Sequence, residues 1–89
     1  MEGMGLYFFQ GEPTDRLIYL GDFQGGRFSG IGKLARFEGE HGHMLYYGSW
    51  QEGKRSHLGT HYYPGGAYYF GYWHNDRKQG EGKLIFPDG

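Results

Sequence analysis

The chain has 89 residues, room for one small domain, and a formal net charge of −1, too little positive charge to hold nucleic acid through its phosphates. Its 19 glycines stand beside 9 tyrosines, 7 phenylalanines and 2 tryptophans, which excludes disorder, a state poor in aromatics. The glycines do not recur at every third position, so collagen is excluded, and the lack of cysteine excludes a disulfide framework and a thiolate metal site.

The opening MEGMGLYFF has no basic segment, and its apolar run is too short for a signal peptide or a membrane span. Its second residue is Glu2, so it carries no myristoylation signal. The expected setting is the cytoplasm. Alanine occurs only at Ala35 and Ala67, and no stretch has apolar residues at helical spacing. Residues 3–11 read as one strand, followed by three hairpins at about 17–37, 44–63 and 67–86. Each hairpin opens on a five-residue unit: YLGDF at 19–23, YYGSW at 46–50 and YFGYW at 69–73. The alternation has period two, which is a strand. A turn pair follows each unit: Gly25-Gly26, Glu52-Gly53 and Asn75-Asp76. Type I′ turns require positive φ at both positions, and Gly, Asn and Asp tolerate it best.

Tyr19, Tyr46 and Tyr69 each precede a glycine by 13 residues: Gly32, Gly59 and Gly82. The return from glycine to the next tyrosine varies, with four-residue insertions near 12–15 and 38–42, both of loop composition. Counting out from the turns sets Tyr19 opposite Gly32, Tyr46 opposite Gly59 and Tyr69 opposite Gly82. The same count sets Gly21 opposite Gly30 and Gly71 opposite Gly80. Each ring would lie over a bare glycine, offsetting that residue's poor strand propensity.

Y-x-G-x-W, a turn, then G-x-G, then YPGG (63–66) or FPDG (86–89) resembles the MORN (membrane occupation and recognition nexus) repeat over nearly the whole chain. The resemblance implies an all-β fold, an elongated single-layer antiparallel sheet of stacked hairpins. Residues 1–89 would be one domain, with a partial repeat at 3–11 and repeats at about 17–43, 44–66 and 67–89. The chain opens in mid-repeat and stops at a repeat boundary, the pattern of a fragment. Phe23 replaces the tryptophan, Asp76 a turn glycine, and His57 the first glycine of G-x-G, where it is expected to face Gly48 and crowd the aromatic groove.

Catalytic and cofactor motifs are lacking. GIGK (30–33) and GEGK (80–83) have Arg27 or Arg77 where a phosphate-binding loop needs its first glycine, and Leu34 or Leu84 where it needs Ser or Thr. His41 and His43 have no third ligand beyond Glu38 or Glu40. His57 and His61 would be about 13 Å apart, too far for one metal. Ser29, Ser49 and Ser56 have no triad context. The expectation is a protein that is not an enzyme and holds no cofactor or metal.

The hairpin turns should form a basic rim of Arg27, Lys54, Arg55, Arg77 and Lys78 against Glu52 and Asp76. The opposite rim would hold Glu12, Asp15, Glu38, Glu40 and Asp88 against Arg16. On the face away from the tyrosines, the register sets Leu20 opposite Ile31, Tyr47 opposite Leu58 and Phe70 opposite Glu81, with Tyr62 and Ile85 nearby. This apolar row has nothing to pack on unless the inserted loops fold back over it, which makes it the candidate partner surface. The terminal strands, about 3–9 and 79–86, expose edges that invite another copy or a partner's strand. The functional expectation is a scaffold module binding a protein partner or forming a homo-oligomer through sheet face and edges. A cytoskeletal or ciliary assembly is the setting the resemblance implies. Weak contact with anionic lipid, or origin as part of a lipid kinase, is the alternative.

Overall fold

The computed structural model describes residues 3–9 and 15–87. Among the described residues seven strands form one antiparallel sheet in chain order: β1 (Gly3–Phe8), β2 (Asp15–Gln24), β3 (Arg27–Glu38), β4 (His41–Gln51), β5 (Lys54–Tyr62), β6 (Tyr68–His74) and β7 (Arg77–Ile85). No helix occurs among the described residues. The molecule measures 38 × 31 × 16 Å, one layer thick. β1 and β7 are the outer strands, and β1 pairs with β2; residues 10 and 11 lie outside the described residues.

The turns are built as the sequence predicts. Gly25-Gly26, Glu52-Gly53 and Asn75-Asp76 all have positive φ, between 50° and 81°. Next to each turn the register departs from simple counting. Gly21 pairs with Gly32, Gly48 with Gly59 and Gly71 with Gly82, while Tyr19, Tyr46 and Tyr69 pair with Leu34, His61 and Leu84. The predicted pairings of these tyrosines with Gly32, Gly59 and Gly82, and of Gly21 and Gly71 with Gly30 and Gly80, are each two residues out. The cause is a bulge that takes up two extra residues on the second strand of every hairpin. A shift of two preserves the faces, so the side-chain alternation survives.

The first residue of G-x-G makes this bulge. Gly30, His57 and Gly80 have φ of 59°, 58° and 74°, the left-handed region that glycine adopts without strain. His57 therefore neither faces Gly48, which pairs with Gly59, nor crowds the aromatic groove. It sits in the bulge with its side chain exposed and Nδ1 2.9 Å from the Ser56 hydroxyl.

The second residue of G-x-G has the packing role. A Cβ on Gly32, Gly59 or Gly82 would run into the ring or hydroxyl of Tyr19, Tyr46 or Tyr69. The rings lean two pairs along from their own cross-strand partners to cover these glycines. Each hydroxyl then donates to the carbonyl three residues on, at the bulge: Tyr19 to Asp22 at 2.8 Å, Tyr46 to Ser49 at 3.0 Å and Tyr69 to Tyr72 at 3.4 Å.

The core is a single aromatic file on this face: Tyr19, Phe23, Tyr46, Trp50, Tyr69 and Trp73. Trp50 sits edge-on between Tyr19 and Tyr46, at 5.5 and 5.0 Å, and Trp73 between Tyr46 and Tyr69, at 5.5 Å from each. Their indole N–H groups donate to Gly32 O and Gly59 O at 3.2 Å. Each tryptophan thus bolts its hairpin to the one before.

The insertion at 38–42 is no loop. Glu38 ends β3, Gly39-Glu40 is the turn and His41 starts β4, so the added residues lengthen the strands. β3 and β4 have 12 and 11 residues, against 9 and 7 in β5 and β6. Of the other insertion, residues 12–14 lie outside the described residues, and Asp15 begins β2.

Candidate functional site

The face opposite the tyrosines holds the predicted row. Leu20, Ile31, Tyr47, Leu58 and Phe70 are between 42% and 50% exposed, and Tyr62 and Ile85 are half-buried. The shifted register changes their neighbours. Leu20 lies opposite Lys33, Tyr47 opposite Thr60 and Phe70 opposite Lys83, not Ile31, Leu58 and Glu81 as counted. Leu58 pairs instead with Tyr72. The row is therefore staggered, with polar residues between its apolar members. The Lys33 ammonium lies 5.8 Å from the centre of the Tyr47 ring.

A denser apolar patch on this face was missed by sequence reasoning. Leu6, Phe8, Ile18, Leu20, Ala35 and Met44 line an open hollow of about 300 Å³, with Phe37 and Lys33 at its margin. The signal was present as alternation: Leu6 and Phe8 in LYFF, and Ile18 and Leu20 in LIYL, point the same way. The two strands meet with Leu6 opposite Leu20 and Phe8 opposite Ile18.

The predicted basic rim divides. Arg27, Lys54 and Arg77 are exposed at the turns. Arg55 and Lys78 are folded onto the tyrosine face. The Arg55 guanidinium lies 4.4 Å over the Trp73 ring, donates from Nε to Asp76 Oδ1 at 3.1 Å and from NH2 to Asp76 O at 3.1 Å. The Arg55 backbone N–H donates to the same carboxylate at 2.8 Å, and Asp76 N–H donates back to Arg55 O at 3.1 Å. This explains why Asp76 replaces a turn glycine. In the preceding repeat Gly53 N–H makes the corresponding bond to Phe28 O at 2.9 Å, and the aspartate adds a carboxylate to that joint. At the opposite rim Arg36, left out of the sequence count, grips Asp15 at 2.7 and 2.8 Å and holds its carboxyl below the usual range; Glu12 and Asp88 lie outside the described residues.

On the tyrosine face, burial pushes the Tyr19 and Tyr46 phenols up to about 12. His61, half-buried, moves the other way. Burial lowers its pKa, and so do the nearby Arg55 and Lys78 charges. Its ring is 4.6 Å from Tyr63, and its Nδ1 is 3.3 Å from an Arg55 N–H. Of the predicted non-ligands, His43 Nε2 is 4.0 Å from Glu38 Oε1; among the described residues no three His, Asp or Glu side chains come together as a metal site.

The family model of the MORN repeat matches residues 19–41, 46–68 and 69–89. A search of curated proteins finds no match to the chain.

Proposed function

The chain belongs to the MORN-repeat family, and from that premise we propose that it is a non-enzymatic docking module that holds a partner protein on the face opposite its tyrosines. One observation carries this reading. Five large apolar side chains, Leu20, Ile31, Tyr47, Leu58 and Phe70, are 42–50% exposed on one face of a sheet a single layer thick. With the insertion at 38–42 built into the strands, it does not fold back as a cover. An exposed apolar patch of a few hundred Å² marks an interaction site. Tyr47 and Phe70 are the anchors, because large aromatics dominate interface energetics. The charges of this face favour protein over lipid. Lys33 and Lys83 alternate with Asp22 and Glu81, whereas anionic membranes are held by dense clusters of cations.

As a scaffold within a larger assembly, the module would present this face while its aromatic core stays on the other. The test is capture of the native partner by the wild-type chain and by the Tyr47→Ser/Phe70→Ser double variant, beside liposome sedimentation. The double variant is expected to keep its hairpins, reported by the Trp50 and Trp73 indole resonances, and to lose the partner. Unchanged capture, or sedimentation with anionic liposomes that the double variant abolishes, overturns the reading.

A further inference from the structure

The tyrosine face carries a polar feature that its packing does not require. Three repeats supply three equivalents of each position. Where the second hairpin has Arg55, the first has Phe28 and the third Lys78; where the second has His61, the first has Leu34 and the third Leu84. Phe28 stacks on Tyr19 with centroids 3.7 Å apart, and Leu34 packs on the core, so apolar residues satisfy these positions. Arg55 and His61 nevertheless bring charge and polarity into the middle of the aromatic face.

They form one wall of an open hollow of about 430 Å³, with Asp76 beside them. The other wall is apolar and includes Phe28, Leu34, Tyr46 and Trp50. Lys78 stands next to it. Its ammonium lies over the Tyr63 and Tyr69 rings at 5.1 and 4.9 Å and donates to the Tyr63 hydroxyl, while the far contact of Tyr63 is His61.

The hydrogen bonds fix the state of His61. An arginine N–H only donates, so Nδ1 accepts from Arg55, and the neutral ring carries its proton on Nε2. The lowered pKa agrees with a neutral ring. Nε2–H makes no hydrogen bond among the described residues. Arg55 gives three of its five side-chain N–H donors to Asp76 and His61, and the Lys78 ammonium gives one of its three to Tyr63. The titratable groups gathered here are therefore Arg55 and Lys78, both positive, Asp76, negative, neutral His61, and the Tyr63 phenol, a net of one positive charge. A monoanion neutralises this cluster; a dianion overshoots it.

The geometry points to a carboxylate-binding site, with His61 Nε2–H and Lys78 as donors and the aromatic hollow beside them receiving an apolar or aromatic body on the same ligand. A free organic acid and a peptide's carboxylate present this same chemistry. The site lies on the face opposite the docking surface proposed above and stands or falls independently of it.

Titration of the intact chain near neutral pH, followed by the Trp73 indole and Tyr63 ring resonances, tests this. Phenylacetate is the probe, with phenylacetamide as its neutral isostere and inorganic phosphate as an anion without a body. Phenylacetate is expected to give saturable shifts, and phenylacetamide to bind about tenfold more weakly, the loss of a charged hydrogen bond. His61→Leu, the residue of both equivalent positions, and Lys78→Gln are each expected to abolish saturation while the indole signal keeps its position. N-acetyl-phenylalaninate against an internal-glutamate peptide, acetyl-Phe-Glu-amide, separates the sources: either one saturating supports the site, and the tighter names the source. No saturation by any carboxylate, equal binding of the amide, tighter binding of phosphate, or full binding by both variants overturns it.

Discussion

In the first hairpin Tyr19 stacks on Phe28 at 3.7 Å, and Phe28 also meets Phe9 and Tyr7 edge-on at 5.8 and 6.0 Å. In the second hairpin the same position holds Arg55, which lies 5.8 Å from the Tyr46 centroid and ties the next turn through Asp76. The first hairpin has Phe23 where the second has Trp50, so it lacks the indole bond to the preceding G-x-G carbonyl. One hairpin is fastened by apolar stacking, worth about 1 kcal/mol per aromatic pair beyond burial. The other is fastened by directional hydrogen bonds, a cation over a ring and an ion pair. What stays constant is the tyrosine over a bare glycine. The repeat therefore fixes one contact and leaves its surroundings free to vary, and in that freedom the second hairpin carries polarity.

Breaking the constant contact should have the largest effect. Gly59 lies in the interior of the sheet, buried beneath Tyr46, and Gly82 lies on the outer strand β7 and is exposed. Gly59→Val is expected to cost about 3 kcal/mol, because the ring has no room to leave. Gly82→Val should cost about 1 kcal/mol, since Tyr69 can swing toward the open edge. Urea denaturation of both variants checks the order. Equal costs would mean that position in the sheet does not matter.

The tyrosines, turns and paired glycines were legible in the sequence because they repeat at fixed offsets, and so were the fold and the two faces. The register was not. Counting outward from a turn assumes an unbroken ladder, and the bulge is encoded only by the left-handed demand on Gly30, His57 and Gly80, which looks the same in sequence as a packing glycine. The insertion at 38–42 read as a loop because Glu, Gly and His dominate it, but long exposed strands tolerate such residues where the sheet face is wet. On the face opposite the tyrosines, Leu20, Ile31, Tyr47, Leu58 and Phe70 followed from alternation alone. Alternation puts Leu6, Phe8, Ile18 and Leu20 on this face, but that they close a hollow with Met44 depends on which strand ends meet, and Arg55 with His61 depends on which side chains fold inward.

Trp50→Phe gives the second hairpin the chemistry of the first without its Phe28 stack. It removes the 3.2 Å bond to Gly32 O and part of the ring wedged between Tyr19 and Tyr46. The expected cost is about 2 kcal/mol. Thermal unfolding followed by circular dichroism measures it; a cost as small as that of an exposed substitution would show that the indole is not a bolt.

His57 offers a gain. It holds φ at 58° where the other hairpins have glycine, and its side chain is exposed. A left-handed non-glycine residue costs about 1–2 kcal/mol. His57→Gly is expected to raise stability by about 1 kcal/mol, net of the greater chain entropy glycine loses on folding. The reverse change, Gly30→His, should lower it, because its Cβ would also press on the Asp22 carboxylate at 2.6 Å. If His57→Gly destabilises, the contact with Ser56 outweighs the strain.

Acid should separate the two hairpins with the smallest effect of all. The His61 pKa is depressed below its ordinary 6.5 by burial, Arg55 and Lys78. The folded ring stays neutral while the unfolded one takes a proton, so stability is undiminished above 6.5 and falls as the pH drops through the lowered folded value. The first hairpin has Leu34 at the equivalent position, which takes no proton. Its acid-sensitive contact is Asp15, lowered from 3.8 by its hydrogen bond to Arg36, which contributes above 3.8 and is lost only below it. Mild acid should therefore loosen the second hairpin and leave the first intact, and stronger acid should then reach the first. Hydrogen exchange at the β4–β5 and β2–β3 amides across this range reads the two separately. His61→Leu should flatten the upper limb and leave the lower one, and an unaltered upper limb in that variant would assign it to another group.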